Sequence, residues 1–342
     1  MGLVMSNDVY KRSGVDIDAA NNAKKLISKQ ARTTFSNKVI GDIGGFGSLF
    51  DASGYQDTVI VSHIDNVGTK LRIASALDDY STVGVDLVNH CANDILTCGA
   101  LPLFFLDYIG MGRMDSDIAS SLVDGMVRAC KESDCSLIGG ETAELPGLYT
   151  PNNMDLVGFV VGLVERGELI DGASIKSGDV VVGISSSGLH TNGYSLVRKI
   201  FNLDQDSEIL RKYYDRIGSN LGEALLTPHR AYMKLLSPVL SIIKGMAHIT
   251  GGGLLENPPR ILPDNLGIVF ELSSWEIPEI FKLIQDQGNV ENMEMFRVFN
   301  MGVGMIVVLE QENVNHFLNI IPEAWIIGQV VEHNNNQRIK LQ

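Results

Sequence analysis

Thr58-Val59-Ile60-Val61-Ser62-His63-Ile64-Asp65-Asn66-Val67-Gly68-Thr69-Lys70 is the stretch that decides how the chain folds. Its first seven residues are mostly β-branched and of strand length, and the run stops at an acidic turn that ends in a lysine. A strand of this kind delivers a carboxylate, a glycine and an ammonium to one end of a sheet. Further along, Val83, Leu87, Cys91 and Ile95 recur four apart, which predicts a helix over Val83 to Cys98 with one face on a core. Leu103 to Tyr108 reads as a short aromatic strand and Ile118 to Cys130 as a second helix. Ser136-Leu137-Ile138 leads into Gly139-Gly140 before another acidic turn, and Leu156 to Val164 closes the segment as a strand. Strands alternating with helices make this half a mixed α/β domain.

Past Glu165 the composition shifts to a polar stretch with Gly167, Gly172 and Gly178, which predicts a boundary between domains 1–166 and 167–342. The rhythm then restarts. Strands are expected at Val180 to Ser185, Ala247 to Thr250, Ile268 to Leu272, Val303 to Leu309 and Ala324 to Val330. Helices are expected at Tyr194 to Phe201, Ala231 to Ile243, Pro278 to Gln285 and Asn313 to Ile320. The fold class is therefore α/β (α+β), in two mixed α/β domains.

Composition narrows the function. The 342 residues hold 27 Lys and Arg against 41 Asp and Glu, a net charge of −14, so the chain lacks the cationic face that a nucleic-acid backbone requires. Its most apolar run, Val157 to Val164, is strand-sized and far short of the roughly 20 residues that cross a bilayer. No basic-then-apolar secretion signal opens the sequence, and Cys91, Cys98, Cys130 and Cys135 fit neither zinc knuckles nor a disulfide framework. A cytoplasmic protein with reduced thiols is expected, with no nucleic-acid partner and no membrane.

There is no Gly-Lys dipeptide and so no Walker loop, and no GxGxxG opens a helix. What stands out is a set of carboxylates beside glycines: Asp65 at a strand end, Asp94 on an apolar helix, and Glu141 after Gly139-Gly140. Three carboxylates of this kind suit Mg²⁺, which takes hard oxygen ligands. Glycine clusters recur at Gly44-Gly45-Phe46-Gly47, Gly139-Gly140, Ser186-Ser187-Gly188 and Gly251-Gly252-Gly253, where bare amides can approach phosphate oxygens. Each cluster taken alone also fits a turn or bulge. Lys70, beyond Gly68-Thr69, has the charge to neutralise a transferring phosphoryl group. His190, among small polar residues, reads as a working imidazole.

These motifs appear in order with Tyr10-Lys11, Gly14-Val15-Asp16, Asn93-Asp94-x4-Gly99-Ala100-x-Pro102, Phe104-Phe105-Leu106-Asp107-Tyr108, Glu141-Thr142-Ala143-Glu144-x-Pro146-Gly147 and His190-x-Asn192-Gly193-Tyr194-Ser195. Over nearly the whole chain the sequence resembles the aminoimidazole ribonucleotide synthetase (phosphoribosylformylglycinamidine cyclo-ligase) family. The resemblance implies a non-Walker ATP-binding fold and a homodimer in which N-terminal domains pair strands. It implies Mg²⁺ and phosphate positioning by Asp65, Asp94 and Glu141, with catalytic roles for Lys70, His190 and Asp94. ATP would be held by Gly44, Gly45, Gly47, Asp65, Gly68, Thr69, Lys70, Asp94, Gly99, Ala100, Gly139, Gly140 and Glu141. The ribonucleotide would be held by Ser187, Gly188, His190, Asn192, Gly251, Gly252 and Gly253.

One departure is Asn66, where the family usually has glycine. Asparagine tolerates left-handed backbone angles, so the turn is expected to survive with Asn66 in that conformation. The implied reaction is ATP-dependent closure of formylglycinamidine ribonucleotide to aminoimidazole ribonucleotide. Two alternatives stand beside it: a thiamine monophosphate kinase-like enzyme of the same superfamily, and an ATP-binding scaffold without turnover.

Overall fold

The structure is a computed structural model and describes residues 17–40, 48–151, 153–333 and 338–342. It divides into two compact units. The first comprises residues 1–56, 62–91 and 102–162; the second comprises 57–61, 92–101 and 163–342. The second unit thus takes in two segments that precede residue 163.

The first unit is built on a four-stranded sheet of β1 (Thr58–Asn66), β2 (Leu101–Met111), β3 (Ser136–Glu144) and β4 (Met154–Glu165), in the order β1-β4-β2-β3. The β2 and β3 strands run parallel, with Asp107 opposite Gly140 and Tyr108 opposite Glu141. The helices of this part are α1 (Ile17–Ala31), α2 (Lys70–Leu77), α3 (Val83–Leu96) and α4 (Ser116–Glu132). The α4 helix starts where the Asp115 carboxylate accepts from the amides of Asp117 and Ile118, a side-chain N-cap. It buries Ala119, Leu122, Val123, Met126 and Cys130, a stripe of 3.6-residue period. Gly84 of α3 faces Gly125 of α4. A Cβ on Gly84 would lie 2.0 Å from the Leu122 carbonyl oxygen and 2.8 Å from the Met126 amide, so the two helices cross at backbone contact.

The second unit carries a six-stranded sheet. Its strands are β5 (Val180–Ser185), β6 (Ile243–His248), β7 (Leu266–Phe270), β8 (Val303–Leu309), β9 (Trp325–Glu332) and β10 (Ile339–Leu341), in the order β6-β8-β5-β9-β7-β10. All pairs are antiparallel except β7 with β10. The central β8 is buried along its whole length, which is why Val303 to Leu309 reads as a continuous apolar run. Val180, Val182, Met305 and Val307 pack with Leu236, Phe317 and Leu96 in the core. The remaining helices are α5 (Tyr194–Ile200), α6 (Leu221–Leu226), α7 (Met233–Leu236), α8 (Gly253–Glu256), α9 (Glu279–Gly288), α10 (Asn292–Val298) and α11 (Val314–Ile320).

Two expectations are corrected. The helix expected over Ala231 to Ile243 is only α7 followed by a 3₁₀ turn, Ser237–Ile242, because Pro238 lacks an amide proton and cannot continue an α-helix. The strand expected to end before Gly139-Gly140 runs through them to Glu144, so Glu141 lies in β3 and not on a turn. The α1, α2, α6, α8 and α10 helices and β10 have no counterpart in the sequence reading. The cysteines are free thiols, with Cys91, Cys130 and Cys135 buried. Among the described residues no helix is long and apolar enough to cross a membrane.

The α3–α4 crossing predicts that Gly84→Ala costs about 2–3 kcal/mol, the usual scale of overpacking. Gly125→Ala, whose added carbon would meet its nearest neighbours at 3.1 Å, costs less. Urea denaturation measures both, and a wild-type midpoint for Gly84→Ala would refute the close crossing.

Candidate active site

In the first unit, β1 ends on Asp65. Its Oδ1 accepts from the Asn66 amide at 2.7 Å, and its Oδ2 lies 3.1 Å from His90 Nε2 and 3.6 Å from His63 Nε2. Partial burial alone would raise the pKa of this carboxyl. The hydrogen bonds from His63 and His90, with the charge of His90, outweigh burial and hold it well below the usual carboxylate range. Asp65 is thus an anion at neutral pH. The turn that follows closes differently from expectation. Gly68 takes the left-handed angle, with φ of 57°, while Asn66 keeps a negative φ and its Oδ1 accepts from the Gly68 amide at 2.8 Å. Asparagine serves here as the acceptor of an Asx turn.

Thr69 occupies the N-cap position of α2 without a side-chain capping bond, and Lys70 is the first helical residue. Expected in an open turn, Lys70 is instead 0% exposed. Its Nζ lies 2.8–2.9 Å from the two carboxylate oxygens of Asp86, whose side chain is likewise 0% exposed. Burial pushes the Lys70 pKa down and Asp86 pushes it back up, with a net lowering. The Gly139-Gly140 pair also has a packing reason. A Cβ on Gly139 would meet Ser48 Oγ at 2.4 Å, and one on Gly140 would meet Asp107 Oδ1 at 2.5 Å. Asp107 is buried, which raises its pKa to about 7, helped by repulsion from Glu141. Glu141 is exposed. Gly44, Gly45 and Gly47 lie outside the described residues.

In the second unit, α3 ends in a Schellman turn. The Gly99 amide reaches the Leu96 carbonyl at 2.7 Å, the Ala100 amide reaches Ile95 at 3.3 Å, and Gly99 has φ of 79°. Gly99 is therefore needed to stop the helix, and Ala100 is buried behind it. In the last turns of α3, Asn93 Nδ2 donates to the Arg230 carbonyl at 2.8 Å, and Asn93 Oδ1 accepts from the Tyr232 amide at 3.0 Å. Its neighbour Asp94 presents Oδ1 to His248 Nδ1 at 2.8 Å. The Nε2 of His248, at the end of β6, lies 2.9 Å from Nε2 of His229. The His229 ring stacks on His190 with centroids 3.9 Å apart. All three histidines are buried.

His190 sits at φ of 61°, and its Nε2 accepts from the Ser187 amide at 3.2 Å. The Ser187–His190 loop is tied down by Asn300, which donates to the Gly188 carbonyl at 2.8 Å and accepts from Ser186 Oγ at 2.9 Å. A Cβ on Gly251 would lie 3.2 Å from Asn192 Oδ1, so these two expected substrate residues adjoin. Asn257 pins the same glycine run, accepting from the Thr250 amide at 2.8 Å and donating to the Gly251 carbonyl at 3.0 Å. Gly252 and Gly253 have φ of 97° and 56°. Thus Asp94, His190, Ser187, Asn192 and the Gly251–Gly253 loop are all set by second-unit elements. Sequence reading missed His229, His248, Asn257 and Asn300. Only His248 carried a signal, a histidine closing an apolar strand in front of a glycine run.

Residues 50–164 match the domain family described as AIR synthase related protein, N-terminal domain, and residues 176–340 its C-terminal domain. The chain is 48% identical over 331 residues to the phosphoribosylformylglycinamidine cyclo-ligase of Caldicellulosiruptor bescii, spanning 94% of this chain and 96% of that one. Against the enzyme of the same name from Thermoanaerobacter pseudethanolicus it is 48% identical, covering 94% and 97%. The chain belongs to the phosphoribosylformylglycinamidine cyclo-ligase family. Two solved structures have the same fold as this cyclo-ligase family member. They are thiamine-monophosphate kinase from Stenotrophomonas maltophilia, with a TM-score of 0.66, 16% identity and coverage of 93% and 96%, and the hydrogenase maturation protein HypE of E. coli, with a TM-score of 0.63, 14% identity and coverage of 93% and 92%.

For this cyclo-ligase family member the buried Lys70–Asp86 pair makes a sharp prediction. Asp86→Ala is expected to cost about 3–5 kcal/mol, the penalty of breaking a buried ion pair from one side. The double variant Lys70→Met/Asp86→Leu is expected to lose far less. Chemical denaturation reads both, and a stable Asp86→Ala protein would contradict the pairing.

Proposed function

We propose that the chain closes the imidazole ring of formylglycinamidine ribonucleotide, using ATP and releasing aminoimidazole ribonucleotide, ADP and phosphate. The observation that carries this reading is 48% identity to named cyclo-ligases over 94% of the chain. The difficulty of the reaction lies in the formyl oxygen, a poor leaving group. Transfer of the γ-phosphoryl group to that oxygen gives an O-phosphoryl imidate. An amidine nitrogen then attacks the formyl carbon, and the carbon–oxygen bond breaks with loss of phosphate and a proton.

The acids suit the cation that ATP chemistry uses. Asp65 is kept ionised by its histidine neighbours, Glu141 is exposed, and Asp94 is held through Oδ1 by His248. Hard carboxylate oxygens of this kind fit Mg²⁺. When bound, Mg²⁺ supplies neutralisation of charge on the phosphate oxygens. In our reading Asp65, Asp94 and Glu141 are its ligands or phosphate-positioning groups, and Gly68 with Thr69 presents backbone to the nucleotide. One related fold is described as a hydrogenase maturation protein in complex with ATP, which supports nucleotide use here. Lys70, closed in on Asp86, holds α2 against α3 and acts on the phosphates through the position of the Gly68-Thr69 turn. His190 accepts from the Ser187 amide at Nε2, so the neutral ring carries its proton on Nδ1. That proton suits donation to the formyl oxygen. Asn192 and the Gly251–Gly253 loop would hold the ribonucleotide.

A homodimer belongs to the same proposal. Ile60 and Ile64 share one face of β1 and are 71% and 61% exposed, an apolar surface that strand-bearing faces of two copies would cover.

Three results are expected. With ¹⁸O in the formyl group, the label appears in released phosphate, and unlabelled phosphate would sink the phosphorylated intermediate. Asp94→Asn lowers kcat by at least about a hundredfold, on the scale of lost transition-state electrostatics; unchanged turnover would remove Asp94 from the site. Ile64→Lys halves the sedimenting mass, whereas an unchanged mass would place any dimer contact elsewhere.

A further inference from the structure

We propose that His229 is a positioning residue for Asp94, acting through His248. The direction of the hydrogen bonds carries the argument. An ionised carboxylate can only accept, so His248 Nδ1 donates to Asp94 Oδ1 across 2.8 Å. With His248 neutral, its Nε2 offers only a lone pair and His229 Nε2 donates across 2.9 Å. Whichever nitrogen carries the proton, the two contacts fix the His248 ring between His229 and Asp94. Turning the His248 ring over would replace both nitrogens by carbons and lose both bonds, so His229 locks the ring and the ring locks Oδ1. The orientation of the Asp94 carboxylate is thereby set. This inference rests on Asp94 being the cation or phosphate-positioning acid proposed above.

His229 is itself held from several sides. Its ring stacks on His190 at 3.9 Å and 20°. Its backbone neighbours are tied by Asn93 to the end of α3, the same turn that carries Asp94, and Ser187 Oγ donates to the Pro228 carbonyl. His229 and His248 are both buried, so water does not substitute for either bond. The ligand atoms of His190, His229 and His248 lie within 4.8 Å of one another, which would also be compatible with a metal cage. Stacking opposes that: His190 and His229 present ring faces to each other, and His190 Nε2 is engaged by the Ser187 amide.

The test is Mn²⁺ binding to the full chain with a non-hydrolysable ATP analogue, read as free Mn²⁺ by electron paramagnetic resonance, alongside kcat and KM for MgATP. Partners that orient a metal ligand are worth roughly 10–100-fold in affinity. His229→Leu is expected to weaken Mn²⁺ binding at least about tenfold, and His229→Met, measured in parallel, gives the same reading if the leucine variant does not fold. His229→Gln, whose amide can donate to His248 Nε2, is expected to restore binding. Asp94→Asn is expected to weaken binding at least as much as His229→Leu. Folded His229→Leu or His229→Met protein that binds Mn²⁺ like wild type, while Asp94→Asn does not, overturns the positioning role and leaves the Asp94 assignment standing. A folded His229→Gln protein that remains as weak as His229→Leu overturns the donor role. Wild-type binding by Asp94→Asn overturns the Asp94 assignment itself.

Discussion

A polar group taken out of water must find a partner, and one helix meets that demand on a single stripe. Asp86, His90, Asn93 and Asp94 occupy positions i, i+4, i+7 and i+8 of α3. Asp86 answers Lys70, His90 answers Asp65, Asn93 spans the Arg230 carbonyl and the Tyr232 amide, and Asp94 answers His248. Leaving one such group unpaired costs about 1–3 kcal/mol, and more when it is charged. Within the first unit the stripe dictates where the Asp65 turn and the start of α2 lie, and within the second it dictates where the 229–232 segment lies. Asp65 and Asp94 are held by the same bonds that satisfy the helix.

Backbone geometry supplies a second constraint. Close approach is used at Gly84, where α3 meets the backbone of α4, and at Gly304, where a Cβ would lie 2.0 Å from the Tyr232 hydroxyl and 2.7 Å from His190 Cε1. The second of these lets β8 pass directly beneath the histidine stack. Glycines in this chain thus do two different jobs, and their clustering in sequence does not tell them apart. Gly139 and Gly140 look like a phosphate loop but lie in a strand, bare because Ser48 and Asp107 press against them. Gly99 looks like part of a nucleotide signature and is the left-handed stop of α3. Each has a packing or backbone reason to be glycine.

The buried pair Lys70–Asp86 changes how the lysine is understood. A lysine following Gly-Thr reads as a phosphate contact, and charge alone recommends it. Full burial beside a carboxylate makes it a tether between the first turn of α2 and the first turns of α3. An internally satisfied charge of this kind acts on the neighbouring turn only through the backbone it holds.

Much of this was legible along the chain. Strands such as Val180–Ser185 and Val303–Leu309, and helices such as Val83–Leu96, announce themselves because periodicity and β-branching are local properties. The acids Asp65, Asp94 and Glu141 stood out because their motifs are compact in sequence. What local pattern could not reveal were partners set by long-range contact. Asp86 lies 16 residues from Lys70, His248 lies 154 from Asp94, and Asn300 lies 112 from Gly188. Sequence by itself determined the strand and helix rhythm and the family to which the motifs point. Only the tertiary structure decided which histidine holds which acid and which glycine serves packing, because hydrogen bonds between distant residues exist only after the chain has closed on itself.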